Sequence, residues 1–329
     1  MVEKSARAFA GEPALLARNQ PINLDIPQKP RIHGHRGARG LYPENTLLSI
    51  SSAARLGLDA VEIDVWVSRD DRLIVYHDPT LSPAITRDTN GLWVEEESPI
   101  RTFKAIDLSR YDVGRINPDS EYFARFPEQT PCDGQTIPSL EDVVNLLREM
   151  DANIEINIEL KSTVNDASLS PPVEQYIEIA TGEILNLGIA DRAFVQSFDW
   201  RLPLGIKSRL PDIRIGLLSD QGSHYEYSGD AKRYPYPAPN PPEGYGRLDD
   251  LPGLVADLGA NAWSPNFVDI DASLLAKAHQ QGLEVCVWTV NRIQHMQDMM
   301  NLGVDIITTD YPDRLVDLRS CWTAQAGSG

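Results

Sequence analysis

Ala60-Val61-Glu62-Ile63-Asp64-Val65 and, further on, Ile154-Glu155-Ile156-Asn157-Ile158-Glu159-Leu160-Lys161 are the two stretches that decide the fold. Polar and apolar residues alternate in both with the period of a β-strand, so Glu62 and Asp64 project to one side while Val61, Ile63 and Val65 project to the other. Glu155, Asn157, Glu159 and Lys161 share a side in the same way. In an open sheet this pattern marks a solvated edge, but the inner face of a closed barrel meets no bulk solvent. Two carboxylates side by side there raise each other's pKa unless a cation holds them, so a bound metal is the economical explanation. The second row ends at a strand terminus, which brings Glu159 and Lys161 to the barrel mouth. The third carboxylate completes an oxygen-rich set for one hard divalent cation, Mg2+ or Ca2+.

Outward from these strands, short β-branched runs alternate with helix-period segments from residue 31 onward, the signature of βα units and a parallel sheet. The candidate strands are Ile32–His35, Ala60–Val65, Leu73–His77, Ile154–Leu160, Ala193–Ser197, Ile213–Leu218, Ala260–Ser264, Glu284–Thr289 and Val304–Thr308. Nine candidates for eight places predict a distorted (β/α)8 TIM barrel over residues 31–318, with one piece at an edge. Residues 1–30 and 319–329 read as tails. Asn45, Ser139 and Asp271 are placed to cap the helices that follow them, and Gly57 and Gly282 to close two of them. Two connections break the rhythm: a cap-like insertion at 78–138 after the third strand, and a long loop at 219–248 after the sixth. Both follow strand carboxyl ends, where a barrel carries its chemistry; cap and lid, or merely variable decoration, are the readings.

Composition narrows the function. Thirty basic against 48 acidic residues give a net charge of −18, which disfavours nucleic acid as a partner. A phosphate ligand would need a local positive site, and a divalent cation supplies one. No apolar run is long enough to span a membrane. Cys132, Cys286 and Cys321 are an odd number with no C-x-x-C spacing, so neither a disulfide framework nor a zinc site is indicated. The N-terminus shows no secretory signal pattern; the expected compartment is the cytoplasm if that end is native, and the periplasm or the exterior if a signal has been removed. Oligomeric state leaves no mark in the sequence.

Ile32-His33-Gly34-His35-Arg36-Gly37-Ala38 ends a short strand in a turn, and Leu73-Ile74-Val75-Tyr76-His77-Asp78 ends another, so two histidines stand at strand carboxyl ends. Each alone is more often a structural residue than a catalyst. Together with Pro43-Glu44-Asn45-Thr46, Glu62-x-Asp64 and Glu159-Leu160-Lys161, they form a series that resembles the motifs of the glycerophosphodiester phosphodiesterase family, within the phospholipase C-like phosphodiesterases. Val195-Gln196-Ser197-Phe198, Val287-Trp288-Thr289-Val290-Asn291 and Thr308-Thr309-Asp310 continue it in order.

The resemblance implies a metal held by Glu62, Asp64 and Glu159, acid and base roles for His35 and His77, and phosphate contacts from Arg36 and Lys161. It further implies hydrolysis of small-molecule glycerophosphodiesters to sn-glycerol 3-phosphate and an alcohol. Glu44 is expected to orient Arg36 or touch the glycerol, and Trp288 to wall the pocket. Asn291, Gln196 and Asp310 serve either as pocket lining or as partners of loop backbone. The rival readings are a phospholipase C- or D-like enzyme acting on intact lipid, and a barrel that has lost its chemistry and only binds phosphorylated ligands.

Overall fold

The apolar side of each alternating run packs outward against helices: Val61, Ile63, Val65, Ile156, Ile158 and Leu160 are buried in one large core shared with the surrounding helices. In the computed structural model, which describes residues 28–163, 166, 168–220 and 251–322, the strands are β1 (Arg31–Gly34), β2 (Ala60–Val67), β3 (Leu73–Val75), β4 (Glu155–Leu160), β5 (Ala193–Ser197), β6 (Arg214–Ser219), β7 (Ala262–Pro265), β8 (Glu284–Val287) and β9 (Ile306–Thr309). The described α-helices are α1 (Leu47–Arg55), α2 (Ala105–Leu108), α3 (Leu140–Glu149), α4 (Val173–Asn186), α5 (Arg201–Arg209), α6 (Leu251–Asp257), α7 (Ala272–Gln280), α8 (Ile293–Leu302) and α9 (Pro312–Cys321). Around the barrel the order is β1-β9-β8-β7-β6-β5-β4-β2, all parallel, and β1 pairs with β2 to close it. The (β/α)8 barrel expected from the sequence is what the chain forms.

The third candidate strand, Leu73–His77, is the edge piece. β3 pairs only with β2, antiparallel, with Val65 opposite Val75. The cause is connection length: Ser68 to Arg72 make a tight turn, with the Ser68 amide donating to the Arg72 carbonyl (2.9 Å), and a parallel return needs a crossover of about a dozen residues or more. β2 therefore overshoots the barrel rim, and β3 descends beside it until the Tyr76 amide reaches the Asp64 carbonyl (3.0 Å).

The hairpin carries a second core. Trp66, Ile74 and Tyr76 pack with Leu81, Ile85, Ile100, Leu108, Val113, Ile116, Phe126 and Ile137, so the 78–138 insertion folds onto the face of β2–β3 that continues the side of Glu62 and Asp64, opposite the helix-packed face. Among the caps, Ser139 and Asp271 act as expected, Ser139 in a reciprocal capping box with Asp142. Asn45 does not cap α1; Thr46 does, accepting from the Ser49 amide (3.2 Å). Asn45 has left-handed backbone (φ 56°) and spends its side chain on Asp64. Most of the 219–248 connection and of the two tails lies outside the described residues, and α9 runs three residues past the expected barrel boundary at 318.

Candidate active site

After β1 the chain must turn at once to reach α1, and it does so through left-handed backbone at Arg36 (φ 50°) and Gly37 (φ 83°). A Cβ on Gly37 would lie 2.5 Å from the Ser49 hydroxyl, so the position demands glycine. At Arg36 a bulky side chain tolerates the same region at a cost of about 1–3 kcal/mol, typical of functional sites. The turn points the Arg36 amide at Glu62 Oε2 (2.9 Å). It also brings the Arg36 guanidinium against Glu44 Oε1 (2.6 Å) and Asp64 Oδ2 (3.1 Å), the latter a charge contact rather than an aligned hydrogen bond.

Parallel register sets the carboxylates side by side. Asp64 pairs with Glu159 across β2 and β4. One ligand oxygen from each of Glu62, Asp64 and Glu159 lies within 4.8 Å of the others. All three are buried. Lys161, also buried, donates to Glu159 Oε1 (2.7 Å) and stands 3.2 Å from Asp64 Oδ1.

Burial and the neighbouring Asp64 and Glu159 push the Glu62 carboxyl well above its ordinary pKa. Burial also raises Glu159, against the pull of Lys161. For Asp64 burial is overcome by Lys161 and Arg36, which hold it well below the usual carboxylate range. Glu62 Oε1 and Asp64 Oδ1 are buried and accept no hydrogen bond among the described residues. Orphaned anionic oxygens in a converging set fit a hard divalent cation, whose charge would satisfy those oxygens and offset the burial and like-charge repulsion that raise Glu62.

The two imidazoles flank this cluster. His35 Nδ1 is 2.7 Å from Asp310 Oδ1, and its Nε2 is 3.8 Å from Glu62 Oε2. Despite burial, Arg39 and His35 keep Asp310 far below the ordinary carboxylate pKa. Asp310 is thus an acceptor only, and His35 Nδ1 carries the proton. Burial and Arg39 draw His35 itself down to about 4, outweighing Asp310, so its contact with Glu62 is that of a neutral ring at pH 7. His77 Nδ1 lies 2.7 Å from Asp78 Oδ1, and burial with Arg36 and Lys161 lowers its pKa well below the ordinary value. Neither ring is sealed: the side chains retain 11% and 19% exposure.

Of the remaining expected residues, Glu44 binds Arg36 as described. Trp288 stands at the mouth, half-buried, with its Nε1 on the Ser264 carbonyl (2.9 Å) and its ring edge-on to Phe198 at 5.4 Å. Gln196 is buried beside Glu159 in register. Sequence reasoning missed the depth of Asp310's involvement: it takes both Nε and Nη2 of Arg39 (2.7 and 2.9 Å) and Asn291 Nδ2 (2.6 Å) besides His35. Arg39 and Tyr122 were missed altogether. Arg39 follows His35 by one helical turn's worth of residues, a faint signal; Tyr122 sits in the insertion with none.

Carboxylates, imidazoles and cations gathered at the carboxyl ends of parallel strands define a barrel enzyme. A family model, "Glycerophosphoryl diester phosphodiesterase family", matches residues 35–314. The glycerophosphodiester phosphodiesterase of Caldanaerobacter subterraneus subsp. tengcongensis is 27% identical over 88% of this chain and 98% of its own. A solved structure from Silicibacter pomeroyi, assigned to the glycerophosphoryl diester phosphodiesterases, is 30% identical with a TM-score of 0.77, covering 90% of this chain and 96% of that one. A phosphodiesterase of Oleispira antarctica, solved with its product sn-glycerol-3-phosphate, shares the fold (TM-score 0.63, 21% identity, 88% and 96% covered). The chain belongs to the glycerophosphoryl diester phosphodiesterase family and is an enzyme of that activity.

Proposed function

We propose that the protein hydrolyses glycerophosphodiesters to sn-glycerol 3-phosphate and an alcohol at a site that holds one divalent cation, Mg2+ or Ca2+, on Glu62, Asp64 and Glu159. The observation that carries this is the converging acidic triad with its orphaned oxygens beside two cations and two imidazoles. The product bound in the Oleispira relative supports the glycerol 3-phosphate half.

A phosphodiester anion repels nucleophiles, and a bound divalent cation would supply charge neutralisation at a non-bridging oxygen. Arg36 and Lys161 add to it from this chain's own side chains. Each already rests between two carboxylates, so a phosphate arriving there exchanges one charged partner for another instead of leaving a cation bare. His35 and His77 are neutral in the free protein at pH 7, and neutral imidazole accepts a proton. One ring, neutral, takes the proton of the attacking hydroxyl. The other gains a proton from solvent once the phosphodiester anion lies beside it, since a nearby negative charge favours imidazolium, and passes that proton to the departing alkoxide. Asp310 fixes the tautomer of His35 so that Nε2 faces the cluster.

The test is a panel of glycerophosphodiesters and intact phospholipids offered to purified protein with Mg2+ or Ca2+, reading glycerol 3-phosphate release and its loss on chelation. Release from the water-soluble diesters is the expected result. Turnover of intact lipid alone would overturn the substrate assignment, and turnover that survives chelation would overturn the cation.

A further inference from the structure

The insertion does more than cover the barrel. Tyr122, within it, donates its hydroxyl to Glu44 Oε2 and accepts from Arg39 Nη1 at 3.2 Å. Glu44 through its other oxygen holds Arg36 (2.6 Å), which leans on Asp64. Arg39 holds Asp310, and Asp310 holds His35. His35 Nε2 faces Glu62, whose Oε2 accepts the Arg36 amide. The contacts close a ring that runs from the acidic triad through both halves of the site and back, and Tyr122 is its one member from the insertion.

The attachment is built, not incidental. Phe126 lies under the Arg39 guanidinium, 4.6 Å from ring centroid to carbon, and packs edge-on to Tyr122 at 5.2 Å. Gln129 Nε2 donates to the Arg39 carbonyl (2.8 Å), and the Thr130 amide to the Leu41 carbonyl (2.8 Å). Glu128 and Arg314 pair as well, which ties the same stretch to α9. Residues 122–130 thus clasp the loops that follow β1 and β9, and the Tyr122 hydroxyl sits between Arg39 and the Glu44 that holds Arg36, all three on the loop after β1.

We infer that Tyr122 is a positioning residue of the diesterase reaction: its hydroxyl joins the Arg36–Glu44 pair to the Arg39–Asp310–His35 chain, so the insertion sets the geometry of both the phosphate-binding arginine and the imidazole. The inference rests on the roles proposed above for Arg36 and His35. Burial with the Glu44 carboxylate raises the phenol pKa, against Arg39, which keeps the hydroxyl a donor across the working pH range. A phenylalanine at this position keeps the ring and its packing on Phe126 and removes only the link.

Two readouts test it. In Tyr122→Phe, glycerophosphodiester turnover falls about tenfold, the weight of one hydrogen bond to a charged group, whereas Phe123→Ala, on the exposed side of the same turn, turns over as the parent does. In a Glu44→Ala background the same Tyr122→Phe change costs less than about threefold, because residues acting as one chain are not additive. Full additivity, or unchanged turnover in Tyr122→Phe, overturns the inference. Independently of any substrate, NMR of the arginine side chains in Tyr122→Phe should show the Nε–H signals of both Arg36 and Arg39 shifted or lost to solvent exchange. A shift of Arg39 alone overturns the link to Arg36. Should the parent cleave no glycerophosphodiester while both signals respond, the substrate reading fails and the positioning role stands.

Discussion

The barrel lumen is charged at both ends, and the two ends settle their charge differently. At the amino ends of the strands, Glu155 and Glu284 face Arg31 and Arg214 one for one: Arg31 meets Glu284 at 2.6 Å, and Arg214 bridges Glu155 and Glu284 while its guanidinium covers Phe194. At the carboxyl ends, Glu44, Glu62, Asp64, Glu159 and Asp310 outnumber Arg36, Arg39 and Lys161. The lower end is a closed account of matched charges that plugs the barrel. The upper end is left electron-rich, and a region held out of balance by the fold is one whose partner comes from solution.

Variants at the two ends should therefore fail in opposite ways. The largest effect is expected from His35→Ala, which removes an acid/base group and should cut glycerol 3-phosphate release by roughly 10²–10⁴-fold with the circular dichroism spectrum unchanged; a variant that keeps half the parent rate takes His35 out of the chemistry. Glu62→Gln should lower turnover and cation affinity together, by roughly 10- to 100-fold or more. In chelator it should melt no lower than the parent, because a crowded, desolvated carboxylate has been relieved. A clear drop in its melting temperature would show that the mouth is as balanced as the base.

At the lower end the pattern reverses. Glu155→Gln leaves Arg214 with Glu284 alone, and because the pair is only partly buried the loss should be roughly 1–3 kcal/mol in denaturant unfolding, with turnover within about twofold of the parent. Lost activity at full stability would mean that the two ends are coupled.

The smallest effect concerns His279, on α7 at that same end, whose Nε2 sits 2.9 Å from Asp305 Oδ2. The hydrogen bond to Asp305 raises the His279 pKa in the folded protein, despite burial. A raised pKa contributes stability that is fully present below the unfolded value near 6.5 and is lost as pH rises through the folded value. His279→Gln should thus destabilise by under about 1 kcal/mol after solvent screening, at pH 5.5 and not at pH 9, in paired unfolding curves. A loss larger at the alkaline end would reverse the sign and dismiss the pair.

Much of the site was legible because it is written within single strands. Glu62 and Asp64, or Glu159 and Lys161, are two residues apart, and a strand period places them without knowledge of anything distant. What was not legible depends on chain closure: His35 and Arg39 meet Asp310 across 275 and 271 positions, and nothing local announces that the first and last barrel strands are neighbours until the barrel is closed. Which of the nine candidate strands stands at the edge stays open in the sequence for a different reason. The third has the composition of any buried strand, and the deciding fact was the five-residue spacer from Ser68 to Arg72, too short for a parallel return. Asn45 was misread for a third reason: two capping residues stand side by side, and the buried Asp64 claimed one of them.

The overshoot of β2 beyond the rim separates the parts of this chain whose length is free from those whose length is not. Because β3 returns beside β2 and delivers His77 from above, both the imidazole and the insertion hang from a ladder that lies beyond the Glu62, Asp64 and Glu159 cluster. The hairpin keeps its hydrogen-bonded register whatever follows Asp78, whereas residues 122–130 are fastened again to the loops after β1 and β9, so length is free to vary only on the span strung between those two moorings.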